Sequence, residues 1–236
     1  MSIVALIPTY NEIEYIAEVV QRTRTHLPVV VIDDGSTDGS GAAAAEAGAT
    51  VLRHAENRGK GAALATGIGW ALEHGCEAAV TLDADAQHDP DEIPAFLEAY
   101  RRDLADMIIG RRNFSQMPFR NQLGNRLGNW ILSWALRRHI PDNQCGFRLL
   151  NHRAMETLRF STTGFEFEVE MIVQAIIAGL RMAWVPIRTI YAGESSHFRP
   201  FWDSVEFMKT AWRARQRVGR GVQVSVIRTY PLIPDH

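Results

Sequence analysis

Along the first half of the chain, short apolar runs alternate with longer stretches whose apolar residues recur at helical spacing. This alternation is the pattern of an α/β layer structure, in which helices flank a mostly parallel central sheet. The runs predict strands at Ile3 to Ile7, Val29 to Asp33, Thr50 to Leu52, Ala78 to Leu82 and Asp106 to Ile109. The periodic stretches predict helices at about Glu12 to Arg24, Ser40 to Ala47, Gly61 to His74 and Asp91 to Tyr100. Strands bordered by such helices are expected to be buried on both faces. Their carboxyl ends run into Pro8-Thr9-Tyr10-Asn11-Glu12, Asp33-Asp34-Gly35-Ser36 and Asp83-Ala84-Asp85, so polar residues gather at one sheet edge. In open α/β sheets that edge is where ligands bind.

Beyond Gly110 the pattern changes. Arg111, Arg112, Arg120 and Arg126 lead through an amphipathic helix, about Gln122 to Arg137, into Asp142-Asn143-Gln144-Cys145-Gly146-Phe147-Arg148. A helix at about Phe167 to Gly179 follows, with Glu166, Glu168 and Glu170 around its start, and then a strand at Met182 to Ile190. No Gly-, Ser- or Pro-rich linker and no internal repeat separates the halves, so residues 1–236 are read as a single domain.

Composition narrows the function classes. With 236 residues, 46% of them hydrophobic, the chain is long enough to bury a sizeable core. A net charge of -2 and a pI near 6.4 argue against a general nucleic-acid binder. Cys76 and Cys145 are far apart and fit no metal or redox spacing, which points to two buried thiols in a reducing cytoplasm. The longest apolar stretch, Met171 to Leu180, is interrupted by Gln174 and falls well short of the roughly 20 residues that span a bilayer. Ser2 to Ile7 lacks the basic start and length of a signal peptide.

The densest chemistry lies in Asp83-Ala84-Asp85-Ala86-Gln87-His88. On an extended chain, residues two apart point to the same side, so Asp83 and Asp85 would place two charges together. A divalent cation relieves that repulsion, and an all-oxygen set completed by Gln87 suits Mg²⁺ or Mn²⁺ sharing substrate phosphate oxygens. By itself the same segment, ending in Asp89-Pro90, reads equally well as a loop and helix cap. Two phosphate motifs are excluded by spacing. Gly59-Lys60-Gly61 lacks the third glycine of a dinucleotide fingerprint, since position 64 is Leu64, and Lys60 is not followed by the Ser or Thr of a Walker A loop. Lys60 is then either a solvated lysine in a glycine turn or a phosphate contact near a helix N-terminus.

Taken in order, Pro8 to Glu12, Asp33-Asp34-Gly35-Ser36-Thr37-Asp38-Gly39, Asn57-Arg58-Gly59-Lys60-Gly61 and Asp83 to His88 resemble the motifs of family 2 glycosyltransferases. Gly110-Arg111-Arg112, Asp142 with Cys145-Gly146-Phe147-Arg148, and Phe165 to Met171 are similar to the dolichyl-phosphate mannose synthase and polyprenyl-phosphate hexosyltransferase group. The resemblance covers residues 3 to about 198. It implies a GT-A fold, with a nucleotide-sugar half at 1–110, an acceptor half at 111–198 and a basic C-terminal segment at 199–236.

The resemblance also implies roles. Pro8, Tyr10 and Glu12 would wall the nucleotide pocket, Asp34 would meet the base or ribose while Asp33 braces the loop, and Lys60 would face phosphate. Asp83, Ala84 and Asp85 would line the donor diphosphate, with Mg²⁺ or Mn²⁺ held by Asp83, Asp85 and Gln87. The reaction implied is inverting hexosyl transfer from a GDP- or UDP-sugar to a polyprenyl or dolichyl phosphate. An ionised phosphate acceptor needs no strong base but must be drawn toward an anionic donor. Arg112, Arg120 and Arg126 are the residues expected to do this, although each also reads as a solvated charge. Asn121 and Asn125 stand where the family has an acceptor-binding Arg and Ser, and Tyr191-Ala192 stand where the group has a further arginine, whose charge Arg188 or Arg199 would then supply.

The alternative is a soluble or saccharide hydroxyl acceptor, with Asp142 or a Glu of the Glu166 to Glu170 segment as general base. From Arg199 to Arg228 seven basic residues face only Asp203 and Glu206, and Phe201, Trp202, Val205, Met208 and Trp212 recur at helical spacing. This fits either an interfacial helix or a terminal helix with a solvated basic face. The expectation is a cytoplasmic protein in peripheral contact with the inner membrane surface.

Overall fold

A computed structural model describes residues 2–113, 119–159, 167–188 and 228–229, with residues 119–126 and 228–229 described by backbone alone. The strands are β1 (Ile3–Thr9), β2 (Val29–Asp33), β3 (Thr50–Arg53), β4 (Ala78–Thr81), β5 (Met107–Arg112), β6 (Arg148–Asn151), β7 (Met182–Ile187) and β8 (Arg228–Thr229). The helices are α1 (Ile16–Arg24), α2 (Ser40–Glu46), α3 (Lys60–Glu73), α4 (Ile93–Arg101), α5 (Phe119–Leu136), α6 (His152–Thr157) and α7 (Phe167–Ile177). Among the described residues the strands form one sheet in the order β3-β2-β1-β4-β6-β5-β7-β8. Every pairing is parallel except those of β6, which runs antiparallel to both β4 and β5.

Apolar side chains of β1, β2, β4 and β5 fill the middle of the sheet, and every residue of β2 and β4 is buried. The expectation of two-faced burial fails at β3, whose ends are exposed, because β3 has a strand on one side only. Helix α3 lies close on the sheet: a Cβ added at Gly67 would sit 2.7 Å from Ile32 Cδ1. On α4, Phe96 stacks on Phe147, with ring centroids 4.4 Å apart.

Helix starts depart from the sequence expectation where side chains take over the backbone donors. The amides of Asn11, Glu12 and Ile13 are held by Ser36 Oγ, Ser40 Oγ and Asp38 Oδ2, so α1 begins at Ile16 rather than Glu12. The segment before α4 is a 3₁₀ turn, Pro90–Glu92, capped by the Asp89 carboxylate accepting from Asp91 N. Strand β6 and helix α6 were not expected at all. In the register of β6, Arg148 stands opposite Thr81 of β4 and Ile109 of β5. Because β6 is antiparallel, its starting end lies at the edge where the parallel strands finish. That places the Asp142 to Phe147 segment beside Asp83.

Candidate active site

The first wall of the site is built by two stitched loops. Asp34 N donates to Thr9 O at 2.9 Å and Thr37 N to Asn11 Oδ1 at 2.9 Å, while Asn11 takes the left-handed conformation at φ 57. Pro8 is left half-buried, Tyr10 exposed and Glu12 half-buried along this ledge.

Beneath it, both acids after β2 are buried and both hold loops. Asp33 Oδ1 accepts from Ser36 N at 2.8 Å, and Arg53 Nε lies 3.5 Å from Asp33 Oδ2. A Cβ on Gly41 would collide with that same Oδ2, so only glycine fits there. Asp34, expected to meet the nucleotide directly, accepts from Gly59 N at 2.7 Å and Arg58 N at 3.0 Å and lies 2.6 Å from His54 Nδ1. Its carboxylate thus orients the Asn57-to-Gly59 turn that launches α3 and its first residue, Lys60.

The Asp83 segment is not extended. Strand β4 ends at Thr81, where its pairing with Arg148 also stops, and the chain bends through Asp83 to Ala86, with Ala86 at φ 59. Asp85 Oδ1 accepts from Gln87 N at 3.0 Å, a local turn in place of strand alternation. His88 is buried below it. Its Nδ1 accepts from Asp83 N at 3.2 Å, which requires a neutral ring with the proton on Nε2, 3.9 Å from Cys145 Sγ. Burial keeps that ring neutral, lowering its pKa to about 4.

Lys60 is neither a solvated lysine nor a lone residue in a turn. Its Nζ lies 2.6 Å from Asp83 Oδ1 and 2.8 Å from Glu168 Oε1. Burial alone would lower the ammonium pKa, but Asp83 and then Glu168 outweigh it and raise it. Burial likewise opposes the Asp83 charge, yet Lys60 brings its carboxyl down to about 2. Gly146 presses on this pair: a Cβ there would lie 2.7 Å from Asp83 Oδ2 and 3.0 Å from Lys60 Nζ.

Across the site from this pair, Arg112 grips Asp142 in a fork, Nε to Oδ2 at 2.8 Å and Nη2 to Oδ1 at 2.9 Å. Asp142 is fully buried and also accepts from Arg112 N and Gln144 N. Helix α5 holds this loop: Asn129 Nδ2 donates to Pro141 O at 2.8 Å, and Asn129 Oδ1 accepts from Asn143 N at 3.1 Å. Trp184 Nε1 donates to Asp142 O at 3.0 Å.

Arg148, to which the sequence reading gave no separate role, is fully buried and donates to the carbonyls of Cys145, Glu168 and Asn143. It ties the Cys145-to-Phe147 segment to the start of α7, which carries Glu168. A charged residue opening the apolar Arg148-Leu149-Leu150 run is the signal that marks such a buried tie. Both cysteines are free and buried, as expected, and burial followed by the Asp142 charge pushes the Cys145 thiol up to about 12. The side chains of Arg120 and Arg126, along with Glu166, Tyr191, Ala192 and the 199–227 segment, lie outside the described residues.

A strand-end ledge, an acidic turn with an adjacent lysine and a guanidinium–carboxylate fork thus share one sheet edge. The profile described as "Glycosyl transferase family 2" matches residues 4–159. The chain belongs to the family 2 glycosyltransferases. Over 211 residues it is 33% identical to the undecaprenyl-phosphate mannosyltransferase of Micrococcus luteus, covering 79% of this chain and 83% of that one. It is 30% identical over 213 residues to a UDP-N-acetylglucosamine–dolichyl-phosphate N-acetylglucosaminyltransferase of Methanococcus voltae, covering 79% and 84% of the two chains.

In three dimensions this transferase resembles glucosyl-3-phosphoglycerate synthase of Mycobacterium tuberculosis, solved with Mn²⁺, UDP and phosphoglyceric acid. The TM-score is 0.70 at 18% identity, covering 94% of this chain and 80% of that one. That likeness establishes the GT-A-type fold.

Proposed function

We propose that this glycosyltransferase moves a hexose, with inversion, from a GDP- or UDP-sugar to a polyprenyl phosphate at a membrane surface. The observation carrying the acceptor assignment is the β5–α5 region. From Met107 to Pro141 the sequence contains six arginines and no Asp or Glu. On α5, the side chains that hold the Asp142 loop face inward, while Leu127, Trp130 and Trp134 are 53%, 66% and 50% exposed. Their spacing of three and four residues puts them on one helix face. Exposed aromatics among arginines suit the headgroup region of an anionic bilayer. The similar undecaprenyl- and dolichyl-phosphate transferases support the same reading. Among the described residues no helix is long and apolar enough to cross a membrane.

The donor half fits a nucleotide and a divalent cation. Asp83, Asp85 and Gln87 are half-buried and supply oxygens of the hard type that Mg²⁺ and Mn²⁺ take. Among the described residues no group of three or more His, Cys, Asp or Glu could hold a metal by itself, so this reading requires substrate phosphate oxygens to complete the ligand set. When bound there, the metal offsets the charge gathering on the departing nucleoside diphosphate.

Pro8, Tyr10 and Glu12 bound the nucleotide, Asp34 sets the turn beneath it, and Lys60 and Ala84 face the diphosphate. Arg112 neutralises the acceptor phosphate, with Arg120 and Arg126 assisting. Asp142 positions Arg112. Its oxygens are committed to the guanidinium fork and two backbone amides, which favours an acceptor that arrives already ionised over a hydroxyl requiring a base. The test is label transfer from UDP- and GDP-sugars to extracted polyprenyl phosphate and to soluble acceptors, in parallel. Label in the lipid fraction is expected. Label on a soluble hydroxyl acceptor alone would give the alternative, with Asp142 or a Glu of the Glu166 to Glu170 segment as base.

A further inference from the structure

We propose that Lys60 is this protein's own counter-ion for the Asp83 site. Without substrates, its ammonium occupies the place beside Asp83 that a divalent cation takes in the loaded enzyme, and Glu168 is the carboxylate to which it withdraws. The inference rests on the metal reading of Asp83 and Asp85 given above, and it adds an order of binding.

Three observations carry it. Lys60 Nζ sits between two carboxylates from different parts of the chain, 2.6 Å from Asp83 Oδ1 and 2.8 Å from Glu168 Oε1. The main chain at both acids is anchored independently of the lysine: Asp83 N donates to His88 Nδ1, and the Glu168 backbone carbonyl accepts from Arg148 Nη1 at 2.9 Å. The cluster is also reachable from solvent, since the Lys60 and Asp83 side chains are 35% and 26% exposed. In contrast to the Arg112 fork, a lysine ammonium is a point charge on a flexible stem and makes a contact that is readily exchanged.

The contact solves the electrostatic problem of the empty site, where neighbouring carboxylates would otherwise repel. It also makes the site a poor trap for metal alone, because an incoming cation must approach Asp83 against an ammonium already bonded to it. A nucleoside diphosphate changes that balance. Its negative charge compensates the lysine and its oxygens complete the cation's ligand set, so metal and donor enter together, and Lys60 turns from Asp83 toward Glu168 and the diphosphate.

The test measures Mn²⁺ uptake from the electron paramagnetic resonance signal of the free ion, in wild type and Lys60→Met, without nucleotide and with UDP or GDP. The expected result is weak nucleotide-free binding by wild type, about tenfold tighter nucleotide-free binding by Lys60→Met, and a smaller gain from nucleotide in the variant. If wild type takes up Mn²⁺ with either nucleotide but the nucleotide-free affinity of Lys60→Met is unchanged or weaker, Lys60 is only a clamp to Glu168 and the proposal is overturned while the metal reading stands. If neither protein takes up Mn²⁺ under any of these conditions, the metal reading falls and the proposal falls with it. Lys60→Gln, which keeps an N–H for Asp83 without the charge, gives the same readout should the methionine variant fail to fold.

Discussion

Two cation–carboxylate pairs stand at the same sheet edge and are built differently. Arg112 and Asp142 form a two-point fork in which the carboxylate is fully buried and also accepts two backbone amides. Lys60 and Asp83 meet at one point, the lysine is shared with Glu168, and both side chains reach solvent. A fork with every acceptor filled orients a guanidinium permanently, which suits a group that must meet an acceptor phosphate in one geometry. A shared single contact is suited to exchange. The Lys60–Asp83 contact is thus arranged to change partners, and the Arg112–Asp142 contact to stay as it is.

The largest effect that would test this contrast is on folding. Asp142→Ala leaves the half-buried Arg112 without its fork and the Arg112 and Gln144 amides without their buried acceptor, and a loss of about 3–5 kcal/mol in chemical denaturation is expected. A change within experimental error would show that the fork is not a fixed element. Asp85→Ala should behave in the opposite way. Its side chain is half-buried and caps a local turn by accepting from Gln87 N, so unfolding is expected to shift by about 1 kcal/mol. Metal-dependent turnover should fall by at least about 100-fold. Full turnover in that variant with metal present would remove the metal assignment.

A smaller effect is expected on the membrane side. Trp130→Ser with Trp134→Ser should weaken binding to vesicles containing phosphatidylglycerol by about tenfold, read by sedimentation. Transfer to a short-chain, water-soluble polyprenyl phosphate should be nearly unchanged. Equal vesicle binding by wild type and the double variant would take the membrane away from α5.

A third pair, at the opposite edge of the sheet, serves as the control. Buried Asp106 accepts from Arg181 N at 2.8 Å and from Asn151 Nδ2 at 3.0 Å, and Arg181 Nη2 lies 3.1 Å from its other oxygen. Burial opposes the Asp106 charge, but the Arg181 contacts prevail and lower its pKa. Because the folded value lies below the unfolded one, the stabilisation is complete above about pH 4 and is lost as pH falls through the folded value. Unfolding free energies of wild type and Asp106→Asn, extrapolated from urea denaturation, should therefore differ by about 1–3 kcal/mol at pH 7 and converge in acid. A gap that is constant with pH would show that the charge of Asp106 contributes nothing.

The first half was largely legible in the chain because its elements are local. Strand β2 was expected at Val29 to Asp33 and is found there, since an apolar run between turn residues declares a buried parallel strand without reference to distant sequence. The second half was less legible. Strand β6 is four residues long with only two apolar residues, so although Arg148 hints at a buried tie, no local periodicity marks a strand. It exists because Arg148 finds three carbonyls and because β4 and β5 both offer it a partner. The bend at Asp83 escaped notice for a related reason: the strand stops where its partner stops.

Taken by itself, the sequence determined the alternating layer architecture, the edge at which polar residues gather, the acidic turn and the family, because each of these is written in residue type and short-range spacing. Only the tertiary structure decided which charges meet. Asp34 is turned into the support of the Asn57-to-Gly59 turn, Asp142 into the partner of Arg112, and Lys60 into a bridge across 108 positions to Glu168. The physical reason is that a charge brought to a sheet edge must be compensated by whatever the fold sets beside it, and that neighbour is chosen by strand order and register rather than by sequence distance.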